Sequence, residues 1–369
     1  MDEIAQHLDE LRDRGLHRKL RLISGPQGAR VLLDGKPVLL LCSNNYLGLA
    51  DHPRVREAAA DAAMRWGAGA GASRLVSGNM TVHRRLEEQL AEFKRSEACL
   101  LFGSGYLANV GVVSALAASG EVVFSDELNH ASIIDGCRLG RGEVAVYPHR
   151  DMAALDRLLS TASASRGLVV TDTVFSMDGD VAPVDDLFEL CARHGALLVV
   201  DEAHAVLGPE LHVAPDVALL RVGTLSKTLG SLGGFVAGDR PFIDLLVNRA
   251  RPFIFTTALS PADTAAALAA VRVVRSTEGE RLRSVLRAHV ARVAPGHPSP
   301  IVPIVLGDER RALAASAALL EAGLLVPAIR PPTVAPGTSR LRVALSAAHT
   351  DAQLDRLVEA LAKVVGVAA

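Results

Sequence analysis

ALLVVDEAH, residues 196–204, sets an unbroken apolar run in front of an acid, Asp201. A short aliphatic run without polar alternation reads as a strand buried on both faces. Ending it on a carboxylate is costly unless a cation waits there. Six further runs of the same texture lie around it: Ala98–Phe102, Val122–Ser125, Val144–Tyr147, Leu168–Thr173, Leu219–Thr224 and Gly234–Ala237. Helical patterns separate them. The expectation is an α/β fold with a mostly parallel central sheet covered by helices.

Outward from this core the texture changes. A long Ala-rich helical stretch is expected from Pro261 to about Val293, then a break at PGHPSP. A strand (Ile301–Leu306), a helix (Arg310–Ala322), a Pro-rich segment and a strand (Arg340–Ser346) follow. The expected division is an N-terminal segment 1–45, a large domain 46–260 and a smaller α+β domain 261–369.

Polar and small residues gather just past the strand ends: Gly103 to Tyr106, Asp126 to His130, Ser176 to Gly179, Asp201 to His204, and Ser226-Lys227. In open α/β sheets the ligand crevice lies beyond the carboxyl ends of the strands. Loops far apart in the chain would therefore meet in one place.

Composition removes other classes. Lys+Arg is 39 against 41 Asp+Glu, a formal net charge of -2, which argues against a basic nucleic-acid scaffold. Hydrophobic residues make up 49% and charged residues 22%, the balance of a packed globular chain. No apolar run approaches the roughly 18 residues of a membrane span. The N-terminal stretch is charged and lacks a signal-peptide core. Cys42, Cys99, Cys137 and Cys191 are far apart and form no CxxC pair, as expected of reduced thiols in a cytoplasmic protein. Only five residues are lysines, Lys19, Lys36, Lys94, Lys227 and Lys363, so chemistry that needs an amine has few candidates.

Each candidate residue has a plain reading beside a chemical one. Lys227, in GTLSKTLGSLGG, is either a solvated lysine in a Gly-rich turn or a desolvated, nucleophilic amine of the Schiff-base kind. Asp201 could meet a cationic ring nitrogen, or with Glu202 and His204 a metal. No second His/Cys cluster supports the metal. The helicase association of DEAH fails without a Gly-x-x-x-x-Gly-Lys-Ser/Thr loop. FGSGYLAN places Gly103 and Gly105 where a helix N-terminus can meet a phosphate, or where close packing needs glycine. GAGAGASRLVSGN does not match the dinucleotide fingerprint. His130 is a satisfied polar residue or a flat partner for an aromatic ring. Arg342, in SRLRVALS, is a structural ion pair or a carboxylate fork.

In order along the chain, SNNYLGLADHP, SGNMTVHRRLE, FGSGYLAN, SDELNHASI, TDTVFSMDGD, VDEAHAVLG, GTLSKTLG, FIFTTALSP and IRPPTVAPGTSRLR resemble the α-oxoamine synthases, pyridoxal-phosphate (PLP) enzymes of fold type I. The resemblance runs from about residue 20 to the C-terminus. TTALSP and IRPPTV…TSRLR look most like the branch that joins L-alanine to a pimeloyl thioester in biotin biosynthesis. A relative that uses glycine or serine with a different acyl thioester is the alternative.

The resemblance implies roles. Lys227 matches the lysine that carries PLP and later moves the α-proton, Asp201 the acid facing the pyridine nitrogen, and His130 the histidine stacked on the ring. Ser176 and His204 match contacts to the ring's 3-oxygen. The backbone of Gly105 and Tyr106 and the Thr224 hydroxyl match the phosphate cradle, with Thr257 contributed from a partner subunit. Asn44 and Arg342 match the grip on the amino-acid carboxylate, and Thr333 a further substrate contact. Arg21 matches the region that meets the acyl thioester, on CoA or acyl-carrier protein. The family implies a cytoplasmic homodimer with the site at the interface, and neither a metal, a nucleic acid nor a membrane as partner.

Overall fold

The computed structural model describes residues 2–13, 17–18, 20–162, 167–211 and 216–366. At its centre is a seven-stranded sheet. From one edge to the other, its strands are Ala98–Phe102, Gly234–Gly238, Leu219–Thr224, Leu197–Asp201, Gly167–Asp172, Val122–Asp126 and Glu143–Tyr147. Only Gly234–Gly238 runs against its neighbours. The expected mostly parallel sheet is present, and all seven anticipated strands are in it. Ala98–Phe102, Leu197–Asp201 and Gly234–Gly238 are buried along their whole length, which explains why they read as apolar runs without alternation.

Helices cover both faces and form separate apolar clusters. Gly105–Leu116, buried almost all round, packs on one face with Val113, Ile133 and Leu246. Val184–His194 and Met152–Thr161 close the other with Leu155 and Leu187.

The expected continuous helix from Pro261 to Val293 is two helices, Pro261–Val274 and Thr277–Val293. Ser276 is extended, at φ -93° and ψ 171°, and turns the chain between them. Gly279 lets the second helix start against the end of the first: a Cβ there would lie 2.3 Å from the Val274 carbonyl oxygen. The C-terminal sheet orders its strands Ile301–Gly307, Ser339–Ala344 and Ala328–Ile329.

A further sheet was not anticipated. Ile23–Ser24, Arg30–Leu33 and Lys36–Leu40 form an antiparallel set, and Lys36–Leu40 also pairs in parallel with Leu324–Leu325. Asp34 and Gly35, both at positive φ, make the tight turn of its hairpin.

The loop after Gly167–Asp172 bridges the central and C-terminal sheets. Asp178 pairs with Arg340, and the Ser176 carbonyl accepts from Arg342 Nε. Gly179 sits so close to Ile301 that a Cβ would fall 2.0 Å from its carbonyl oxygen. His149 holds the same loop from behind, at 3.0 Å from Asp126 and 2.8 Å from Asp180. Burial alone would push this imidazole down, but the two carboxylates raise its pKa to about 9.

A raised folded pKa stabilises fully below the unfolded value near 6.5, and the contribution is lost as pH rises through about 9. His149→Gln is therefore expected to cost about 1–2 kcal/mol at neutral pH, a modest figure because part of the ring is open to water. The difference from the parent should close by about pH 10, as read by urea unfolding at both pH values. An equal gap at both would contradict a charged His149.

Candidate active site

The strand ends do meet in one crevice. Leu197–Asp201 and Gly167–Asp172 are neighbours in register, so Asp201 lies directly beside Asp172. Both carboxylates are buried. Burial and the nearby Asp201 charge push the Asp172 carboxyl well above the usual range. Asp172 thus holds its proton more readily than an ordinary carboxyl. Asp201 accepts from the Ala203 amide at 2.8 Å and from Asn109 Nδ2 at 2.6 Å.

Asn109 carries the order further. Its Nδ2 also donates to Ser132 Oγ at 2.9 Å, and that hydroxyl lies 2.7 Å from His130 Nδ1. The backbone N–H of His130 donates to Asp172 at 2.8 Å. The His130 ring is thereby fixed relative to both acids. Burial lowers its pKa, with Asp201 opposing and Lys227 adding to the effect.

Lys227, half-buried, places Nζ 3.1 Å from His204 Nε2. Desolvation lowers the lysine's pKa, Asp201 and Asp172 resist, and Arg342 lowers it further. The balance favours a free amine more than on an ordinary surface lysine. The plain reading of a solvated turn lysine does not fit this setting. His204 is buried and its pKa is driven well down, first by burial and then by Lys227, Arg342 and His130.

Glu202, the next residue after Asp201, faces elsewhere. It takes Lys94 at 3.0 Å and both arms of Arg221. Burial would raise its carboxyl, but the two cations hold it down to about 2. Asp201, Glu202 and His204 therefore do not converge as metal ligands, and no His/Cys/Asp/Glu group among the described residues is suited to a metal.

Beside the acids, helix Gly105–Leu116 begins with Ser104 capping the Leu107 amide. A Cβ on Gly105 would touch the Thr224 side chain at 3.2 Å, and one on Gly234 would lie 2.4 Å from the Ser104 carbonyl carbon. Glycine at both positions lets the helix N-terminus pack directly on Thr224 and Gly234, and a helix N-terminus is a favourable place for a phosphate. The Tyr106 phenol turns away to Asp135, leaving its backbone at the helix start. Thr257 is exposed, and its loop bridges to Ser73.

Arg342 is buried and has no carboxylate within ion-pair range among the described residues. Its structural ion-pair reading is thus corrected: the guanidinium instead donates to the Ser176 carbonyl and to Asn44 Oδ1. A buried cation without an anion favours an incoming carboxylate. Arg21 and Thr333 line a cavity of about 790 Å³, together with Arg18, Arg330 and Cys42. Cys42, in the cavity lining, has its thiol pKa raised by burial, with the Arg342 and Arg21 charges opposing.

These features fit PLP on this chain's own evidence. The donor set offers an amine at Lys227, a buried carboxylate at Asp201, an imidazole at His130 and a helix N-terminus beside Thr224. Asn109 Oδ1, next to Asp201, is buried without a partner. Asn109, Asp172 and Tyr46 were assigned no role from sequence. Asp172 carried the same signal as Asp201, an acid closing an apolar strand.

Residues 36–361 match the aminotransferase class I and II family. The 8-amino-7-oxononanoate synthase of Anaeromyxobacter dehalogenans is 55% identical over 385 residues, spanning 99% of this chain and 96% of that one. The enzyme of the same name from Citrifermentans bemidjiense is 50% identical over the full length of both. Among solved structures, a serine palmitoyltransferase from S. paucimobilis with a bound PLP–myriocin adduct superposes with a TM-score of 0.91 at 31% identity. That match covers 99% of this chain and 98% of the other.

Proposed function

The chain belongs to the aminotransferase class I and II family, within its α-oxoamine synthases, and on that footing we propose its reaction. It condenses L-alanine with a pimeloyl thioester, on CoA or a carrier protein, to 8-amino-7-oxononanoate, CO2 and the free thiol, a step of biotin synthesis. The observation that carries this is the full-length identity to synthases of that name. The cofactor is PLP.

PLP, when bound, supplies an electron sink that acidifies the amino acid's Cα. The chain's residues do the rest. Lys227 Nζ would hold the cofactor covalently and, as a free amine, would take the Cα proton and return one. Its lowered pKa keeps the amine available for that task. Asp201 would face the ring nitrogen and favour its protonated form, beside Asp172 with its raised carboxyl pKa. His130 would pack against the ring face, and His204 and Ser176 would meet the ring oxygen. The backbone of Gly105 and Tyr106 and the Thr224 hydroxyl would take the phosphate, with Thr257 reaching it from a second subunit.

Arg342 and Asn44 bind the amino-acid carboxylate. By fixing that group they select which Cα bond is aligned to break, so that deprotonation precedes loss of CO2. Arg21 and Thr333 receive the acyl thioester in the cavity they line.

We place the enzyme in the cytoplasm as a homodimer. No helix among the described residues is long and apolar enough to cross a membrane. Leu75, Val76 and Phe255 are exposed near the Ser73–Thr257 bridge, an apolar surface of the kind a second copy covers. The division into 1–45, 46–260 and 261–369 is also proposed. Pairing of Lys36–Leu40 with Leu324–Leu325 supports grouping the first part with the third.

The test is incubation of purified enzyme with alanine and pimeloyl-CoA or pimeloyl-carrier protein, read by mass spectrometry. The expected product is the aminoketone from alanine. Product from serine or glycine with another acyl chain, and none from alanine, would overturn the assignment.

A further inference from the structure

Asn44 and Arg342 meet across a join between two distant parts of the chain. Arg342 lies in strand Ser339–Ala344, and Asn44 follows strand Lys36–Leu40. Arg342 Nη2 donates to Asn44 Oδ1 at 3.3 Å. The Tyr46 hydroxyl lies 3.1 Å from the same oxygen and 2.6 Å from His204 Nδ1. A guanidinium only donates, so the Asn44 atom it meets is the carbonyl oxygen. The Asn44 Nδ2 group is then the part left to donate to an incoming carboxylate.

The residues that follow Arg342 make the join. The Ala344 N–H donates to the Leu41 carbonyl at 2.8 Å, and the Ala347 N–H donates to the Tyr46 carbonyl at 2.8 Å. Between them, Ser346 Oγ donates to the Asn45 carbonyl at 2.8 Å. Asn44 is thus bracketed, with Leu41 pinned before it and Asn45 and Tyr46 pinned after it. The two outer bonds are backbone to backbone and are open to any residue but proline. The bond to Asn45, the immediate neighbour of Asn44, needs a hydroxyl.

Ser346 is itself held at every polar atom. Its N–H donates to His349 Nδ1 at 3.1 Å, and its carbonyl accepts from His289 Nδ1 at 3.0 Å. The protons on His349 follow from its partners. An N–H faces Nδ1, so Nδ1 accepts, and the ring proton sits on Nε2, which donates to the Leu40 carbonyl at 2.9 Å. One neutral tautomer satisfies both bonds. Burial lowers the His349 pKa, with the Leu40 bond opposing and His289 adding to the effect. Ser346, His349 and His289 are all buried.

We propose that Ser346, braced by His349, is a positioning residue that holds Asn44 against Arg342 and so shapes the grip on the amino-acid carboxylate. The inference rests on the reading of Asn44 and Arg342 given above and goes one step beyond it, to the residue that keeps the pair together.

The test compares the Kd of L-alanine and of L-alaninamide for the PLP-loaded enzyme, followed by the cofactor absorbance and without any acyl thioester. The two ligands share the amine and Cα and differ in the carboxylate, so the ratio of their Kd values reads the grip. Arg342→Leu is expected to erase most of the parent's preference for alanine. Ser346→Ala is expected to weaken alanine about three- to tenfold, the range of one hydrogen bond, and alaninamide by less than about twofold. His349→Leu takes the acceptor from the Ser346 amide and should move the ratio in the same direction; it carries the test should Ser346→Ala fold poorly. An unchanged ratio overturns the proposal, whether both ligands bind as in the parent or both weaken equally, as a merely structural role would have it. If Arg342→Leu keeps the parent's ratio, the carboxylate reading of Arg342 is itself refuted, and the proposal falls with it.

Discussion

Lys227→Ala is expected to yield a folded protein that forms no aminoketone above background, a loss of about 10³–10⁴-fold read by mass spectrometry. The loss follows from the two tasks assigned to one atom. Nζ carries the cofactor and moves the Cα proton, so its removal deletes both at once. The fold should survive because the side chain is only half-buried and its direct hydrogen bond is to His204. No other lysine among the described residues is placed to substitute. Lys94 is committed to Glu202. Lys36 and Lys363 lie on the surface, and Lys19 lies outside the described residues. Borohydride reduction of the parent should fix the cofactor on the peptide containing Lys227 and on no other. An active, colourless Lys227→Ala protein would exclude the mechanism.

Asp201→Asn should separate activity from stability. The amide can keep the bonds from Asn109 and Ala203, but cannot balance a protonated ring nitrogen. Leaving one partner of a buried charge pair uncompensated costs about 3–5 kcal/mol, which corresponds to roughly 10²–10⁴-fold in kcat/KM. The free protein should respond in the opposite direction. Asp172 has a raised carboxyl pKa, from burial and then from Asp201, and a raised acid costs stability at pH above its unfolded value of about 4. Removing the neighbouring charge lessens that cost. The variant is therefore expected to melt no lower than the parent at pH 7 without cofactor. A kcat/KM within tenfold of the parent would remove Asp201 from its proposed role.

How far the sequence could be read depended on what each signal reports. The central strands were legible because strands buried on both faces must be apolar throughout, and Leu197–Asp201 shows it. Lys227, Asp201 and His204 were legible because charged residues beside buried strands need a reason to be there. The N-terminal hairpin was missed although Asp34-Gly35 between apolar runs is a turn signal; its strands are short and one carries Pro37. The break at Ser276 was missed because helical periodicity continues on both sides of it. Asn109 and Tyr46 were passed over for a different reason. Each acts through a partner remote in sequence, Asp201 for one and His204 for the other, and pattern along the chain carries no information about such pairs.

The opposite facing of Asp201 and Glu202 has a consequence for how the chain reaches its native pairing. Adjacent side chains at a strand end alternate in direction, so a shift of one residue would exchange the two acids. Glu202 would then enter the crevice and Asp201 would be left facing Lys94 and Arg221. The longer carboxylate would crowd Asn109, and the shorter one would leave two buried cations short of their anion. The clamp of Glu202 by Lys94 and Arg221 thus rejects the shifted alignment of this strand. A trio of charges that takes no part in the reaction decides which of two neighbouring acids can.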